Sequence, residues 1–197
     1  MRKPKQIKIF DTTLRDGQQC PGAAMSFDNN LRYYRLASQL KVDVIEAGFP
    51  AASRLDFEIV NAIARESARD DSPVVAALCQ LREEQVLKTI DALKPAIASG
   101  KARLHTYVPV DPELMRASLG GFSREKIVED LYSLVKLARD GGLEVQFSPE
   151  GYSRMKGNFD FTLELIMAAV GVGATLVNCP GTIGAASSPA RENFFGV

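Results

Sequence analysis

The chain has 197 residues, 46% hydrophobic and 24% charged, an ordinary globular composition with room for a sizeable core. Lysine plus arginine equals aspartate plus glutamate at 24 each, so nothing points to nucleic acid or an anionic membrane as partner, and no apolar run approaches the roughly 20 residues that span a bilayer. The basic start, Met1 to Gln6, leads into too short an apolar run for a signal peptide, and Cys20, Cys79 and Cys179 form neither a disulfide framework nor a zinc-finger spacing, so a reducing cytoplasm fits best.

A short apolar run, Ile7 to Phe10, predicts the first strand. Ser26 is the expected N-cap of a first helix with Leu31, Tyr34 and Leu40 on its buried face. Val42 to Ala47 predicts a second strand. Ser53-Arg54-Leu55-Asp56 resembles a capping box, followed by an apolar stripe of Phe57, Val60, Ile63 and Ala64. A third strand is expected over Val74 to Leu78. The helix after it carries Val86, Ile90, Leu93 and Ile97, closed by Gly100. Arg103 to Val108 reads as the fourth strand. Ser123 caps a fourth helix with Ile127, Leu131, Leu134 and Ala138 buried and Gly141 at its end. Leu143 to Phe147 is a fifth strand, Phe161, Leu165 and Ala168 mark a fifth helix, and Thr175 to Asn178 a sixth strand. A sixth helix is expected to start near Pro189.

The strands are short and apolar with little alternation, which suits a parallel sheet buried on both faces. Strand starts recur about every 30 to 40 residues, the rhythm of repeated βα units in one α/β domain. A doubly wound sheet and a (β/α)8 TIM barrel both fit. No glycine-rich nucleotide fingerprint is present, which weakens the nucleotide-binding version of the first.

Polar residues gather where these strands run out. After the first come Asp11, Arg15, Asp16 and Gln18; the second ends near Glu46, the third at Cys79 and Gln80. The fourth carries His105 and Thr106, the fifth ends in Ser148 and Glu150, and the sixth in Asn178 and Cys179 followed by Thr182. In either architecture the carboxyl ends of parallel strands carry the ligand site. A carboxylate there suits a divalent cation, and an arginine beside it suits a carboxylate or enolate oxygen. Glu46 lies inside the apolar run Val44 to Phe49, where an unpaired carboxylate is costly, so it needs a cation, and Arg15 is the obvious one. His105, the only histidine, reads by default as a hydrogen-bonded structural residue. The three cysteines read as small buried residues.

Four segments together, Asp11 to Gln19, Val44 to Pro50, Arg103 to Thr106 and Phe147 to Glu150, resemble the 2-isopropylmalate synthases, in order along essentially the whole chain. These belong to a wider group of metal-dependent TIM barrels with the homocitrate and citramalate synthases and hydroxymethylglutaryl-CoA lyase. The resemblance implies a leucine-biosynthetic acyltransferase: a divalent cation (Mg²⁺, Mn²⁺ or Zn²⁺) binds a 2-oxo acid, most simply 2-oxoisovalerate, and deprotonated acetyl-CoA attacks its keto carbon before the thioester is hydrolysed. By motif, Asp16 is a metal ligand, Arg15 stabilises the enolate or alkoxide, and Glu46 orients Arg15 or shapes the pocket. His105 lies near the reacting oxygen, and Gln18, Glu150 and Thr182 contact substrate. The resemblance also implies a homodimer for the full-length protein.

Some positions depart from the family pattern. Pro180-Gly181-Thr182 stands where the family usually has Pro-Asp-Thr, Gly151 where an acid commonly follows the strand-five glutamate, and Tyr107 to Pro112 where small hydroxyl residues are frequent. The family's His-x-His metal pair on strand seven has no counterpart, since the single histidine lies on strand four. A complete barrel takes about 250 residues. The expectation over residues 1–197 is therefore a partial barrel of six strands and five helices, binding metal weakly through Asp16 and of little or no activity alone. A homocitrate or citramalate synthase, a related acyl-CoA lyase or aldolase, and a non-catalytic fragment are the alternative readings.

Overall fold

The computed structural model describes residues 7–69 and 71–182, so the basic start and the helix expected near Pro189 lie outside the described residues. The elements in chain order are β1 (Phe10–Asp11), α1 (Phe27–Gln39), β2 (Val44–Glu46), α2 (Arg54–Ser67), β3 (Val74–Cys79), α3 (Glu83–Ile97), β4 (Ala102–Pro109), α4 (Pro112–Leu119), α5 (Arg124–Asp140), β5 (Glu144–Glu150), α6 (Phe159–Val172) and β6 (Leu176–Val177). The strands form one sheet in the order β1-β2-β3-β4-β5-β6, and β1–β2, β2–β3 and β5–β6 pair in parallel. A doubly wound sheet reverses its order at a switch point. The unbroken order here is that of a (β/α)8 TIM barrel, of which the described residues supply six strands. Among the described residues six α-helices stand where five were expected, because α4 is inserted between β4 and α5. Asp111 followed by Pro112 is the local cause: the Asp111 carboxylate accepts from the Glu113 N–H at 2.8 Å, and proline fills the first helical turn.

The chain divides into two compact units. The first holds residues 7–69, 71–79, 87–104 and 142–144 of those described. Its core comprises Ile45, Val60, Ile63, Ala64, Val75, Leu93 and Leu104, all essentially sealed from solvent. Each such aliphatic side chain contributes about 1.5–3 kcal/mol relative to exposure. The Ser26 and Ser53 caps form as expected, each hydroxyl accepting a backbone N–H of the first turn. On α1, Tyr34 is buried as expected, but Leu40 is 80% exposed, and Asn30 and Ala37 occupy the inner face instead. Leu40 falls past the last turn, at the C-cap, where the helical stripe no longer applies. β1 is shorter and later than Ile7 to Phe10, since pairing begins where Phe10 meets Val44. Ile9 is joined to Asp43 by its N–H and carbonyl, while its side chain stays exposed.

The second unit holds residues 80–86, 105–141 and 145–182 of those described. α5 begins at the Ser123 cap and ends at Gly141, with Ile127, Leu131, Val135 and Ala138 inward; Val135 takes the place given to Leu134. On α6, which packs against α5, Phe161, Leu165 and Ala169 are buried, Ala169 rather than Ala168. Phe147 of β5 and Phe161 of α6 are the largest sealed side chains among the described residues. Cys79 is buried as expected, whereas Cys20 is exposed and Cys179 half-buried, since both lie in loops. No helix among the described residues is long and apolar enough to cross a membrane.

Candidate active site

In the first unit the loop after β1 is wound tightly. The Thr12 carbonyl accepts the N–H groups of Arg15, Asp16 and Gly17 at 2.8–3.2 Å, and buried Leu14 pins the loop to the core. This places Arg15 over the end of β2. Its Nε donates to a Glu46 carboxylate oxygen at 2.6 Å, and Nη1 reaches Asp16 at 3.0 Å. The Glu46 side chain is wholly buried, Arg15 18% exposed and Asp16 65% exposed. The pairing expected from the sequence is therefore present. A buried carboxylate fixes the guanidinium by one edge, and the rest of the planar fork has no further protein hydrogen bond among the described residues. Those N–H groups are directed donors for an oxygen anion.

Gln18 is tied into the same unit. Its Nε2 donates to the Leu14 carbonyl and the Asn30 amide oxygen, both at 2.7 Å, and its Oε1 accepts from the Met25 N–H at 2.8 Å. Asp11 accepts from the Thr13 N–H at 2.8 Å and the Tyr33 hydroxyl at 2.7 Å. Burial works to raise the Asp11 pKa, but the Thr13 and Tyr33 hydrogen bonds outweigh it and hold the carboxyl below its ordinary 3.8.

In the second unit His105 is buried on β4, and its Nε2 lies 2.6 Å from the Ser148 hydroxyl on β5. Asn178 Nδ2 donates to the same oxygen at 3.0 Å. This Asn178–Ser148–His105 chain fixes the ring. Ser148 and Asn178 stand among the strand-end residues in the sequence, but their positioning role was not legible. The available signal is the period of two along β5, which sets Ser148 on the same face as Glu150. Glu150 is half-buried, and its carbonyl accepts from the Val110 N–H at 2.8 Å. The Thr182 hydroxyl accepts from the Gly151 N–H at 2.8 Å.

Gly151 has a positive φ of 74°, and a Cβ there would lie 2.6 Å from the Asp111 Cβ. The glycine that replaces the family's usual acid thus follows from its neighbour. Asp111 both caps α4 and pairs with Arg154 at 2.8 Å, and Arg154 also reaches Glu113 at 2.8 Å. Burial raises the pKa of the Cys79 thiol to about 11 and also raises that of Cys179, which suppresses thiolate chemistry at both.

A divalent cation would find one oxygen donor in Asp16, already shared with Arg15. Among the described residues no three His, Cys, Asp or Glu side chains converge as they would around a metal. These residues alone do not make a metal centre.

Consecutive parallel βα units with charged and polar groups at the carboxyl ends of the strands define a protein of the TIM-barrel class. Among solved structures, HMG-CoA lyase of Bacillus subtilis aligns with a TM-score of 0.77 at 16% identity, over 100% of this chain and 65% of that one. An Acinetobacter baumannii HMG-CoA lyase, solved with coenzyme A and 3-methylmalate, gives 0.68 at 14% identity over 95% and 60%. The HMGL-like family matches residues 6–195, and the chain belongs to it. The 2-isopropylmalate synthase of Methylococcus capsulatus is 43% identical over 179 residues, 91% of this chain and 33% of the relative. That of Neisseria meningitidis serogroup B is 37% identical over 195 residues, 99% and 36%. The chain thus spans about a third of the length of these relatives.

Proposed function

We propose that the chain carries part of the catalytic barrel of a 2-isopropylmalate-synthase-type acyltransferase, which condenses acetyl-CoA with a 2-oxo acid, 2-oxoisovalerate first, in leucine biosynthesis. The observation that carries this reading is the Arg15 fork, held by a wholly buried glutamate with donors left to spend, in a chain whose relatives bear that name.

Loss of a methyl proton from acetyl-CoA leaves an enolate. Its carbon attacks the keto carbon of the 2-oxo acid, and the keto oxygen becomes an alkoxide that takes up a proton. Water then cleaves the thioester and CoA leaves as the thiol. Negative charge moves between oxygens in each step, and a guanidinium prearranged for oxygen favours the transition state over the ground state. Arg15 has that role, with Glu46 as its positioning residue. His105, fixed by Ser148, stands by the reacting oxygen. Gln18, Glu150 and Thr182 contact substrate, and Asp16 offers one oxygen to a divalent cation, which would polarise the keto group when bound.

The test is thiol release from acetyl-CoA with a panel of 2-oxo acids and added Mg²⁺, Mn²⁺ or Zn²⁺. Slow release that needs 2-oxoisovalerate and is lost in Arg15→Lys is the expected result. Release indifferent to the 2-oxo acid or to Arg15 contradicts the reading.

A further inference from the structure

The second unit contains a cavity of about 200 Å³ that the roles above leave unused. It opens past the ends of β3 and β4. Tyr107, Pro109, Leu119 and Phe122 give it an apolar and aromatic lining, and Arg82 and Ser118 stand at its wall. Whole-ligand pockets run to roughly 300–1,000 Å³, so this one suits one moiety of a longer molecule. Phe122 is 58% exposed, an aromatic face left to solvent at the mouth of a cavity. Arg82 is exposed and has no ion-pair partner among the described residues. The acid on the wall, Asp130, is already neutralised by Lys126 at 2.6 Å. Gln80 donates to the Tyr107 hydroxyl at 3.3 Å, which leaves that O–H to donate outward, and the Ser118 hydroxyl is a second donor. A flat heteroaromatic base next to a phosphate matches this combination: π-face, hydroxyl donors for ring nitrogens, and an unspent guanidinium.

We propose that this cavity seats the 3′-phosphoadenine end of the CoA thioester, with the base against Phe122 and the 3′-phosphate on Arg82. This rests on the acetyl-CoA reading above. It adds the surface that would hold the long co-substrate by its non-reacting end, where binding energy serves the chemistry at the other end.

The probe is adenosine 3′,5′-bisphosphate, titrated calorimetrically into the chain and into Arg82→Gln and Phe122→Ala. Both changed residues are exposed, and circular dichroism checks that the fold is kept. The expected result is saturable binding weakened about tenfold or more by each substitution, with AMP, which lacks the 3′-phosphate, binding more weakly than the bisphosphate. No binding of the bisphosphate, equal binding of AMP, or CoA affinity unchanged in both variants overturns the assignment. Bisphosphate binding lost in both variants, in a chain whose thiol release is indifferent to the 2-oxo acid, supports the nucleotide seat and removes the condensation reading alone.

Discussion

Two arginine–glutamate pairs in the first unit are built in opposite senses. At the start of β4 and β5, Arg103 Nε meets Glu144 at 2.8 Å, with the arginine 6% exposed and the glutamate 33%. At the carboxyl ends of β1 and β2, Arg15 meets Glu46 at 2.6 Å, with the glutamate sealed and the arginine 18% exposed. The first hides its cation and opens its acid to water. The second hides its acid and turns an arginine outward. We propose that the sealed acid serves to aim its partly exposed partner, and that the buried Arg103, backed by the more exposed Glu144, serves the fold. The rule that the amino-terminal face of such sheets carries stability and the carboxyl face carries chemistry describes the same division.

The largest expected effect separates the pairs by activity. Arg15→Lys keeps a positive charge near Glu46 but cannot grip it through Nε and still present a fork. Thiol release should fall about 10²–10³-fold with little change in Tm, the size seen when an oxyanion donor is removed. Arg15→Ala removes the guanidinium from the sealed Glu46 carboxylate and should cost about 3–5 kcal/mol of stability, read by urea unfolding. Arg103→Lys should do the reverse, lowering stability by about 1–3 kcal/mol with the rate unchanged. Gly151→Ala tests the second unit: the methyl has no room beside Asp111 and the backbone is left-handed, so about 1–3 kcal/mol should be lost.

The smallest effect is a pH dependence at Asp11. Its folded carboxyl is held below 3.8, so it contributes stability at higher pH that is lost as pH falls through the folded value. The stability gap between the native chain and Asp11→Asn should be constant at neutral pH and close as pH drops below 3.8. A gap that widens on acidification would contradict the hydrogen-bonded carboxylate.

Periodicity revealed the βα rhythm because a strand sealed on both faces reads as an apolar run whatever its partner. The Ser26, Ser53 and Ser123 caps were legible for a local reason, since a cap is made within one helical turn. Glu46 stood out for the cost of its burial, and that cost pointed to Arg15 without any geometry. Other features were hidden because they depend on pairing between distant segments. β1 begins late because its register is set by Val44, 34 residues on from Phe10. The Ser148–His105 contact spans 43 residues, and the collision that fixes Gly151 is with Asp111 on another loop. α4 was readable in principle from Asp111-Pro112, but its eight residues were too few to show a stripe.

We propose that the Arg15–Glu46 pair serves chemistry and the Arg103–Glu144 pair serves the fold. The direct test is a side-by-side measurement of Tm and 2-oxoisovalerate-dependent thiol release in Arg15→Lys and Arg103→Lys. A lost rate with an intact Tm is expected in the first, and a lowered Tm with an intact rate in the second. A native rate in Arg15→Lys, or a rate lost in Arg103→Lys at unchanged Tm, would contradict it.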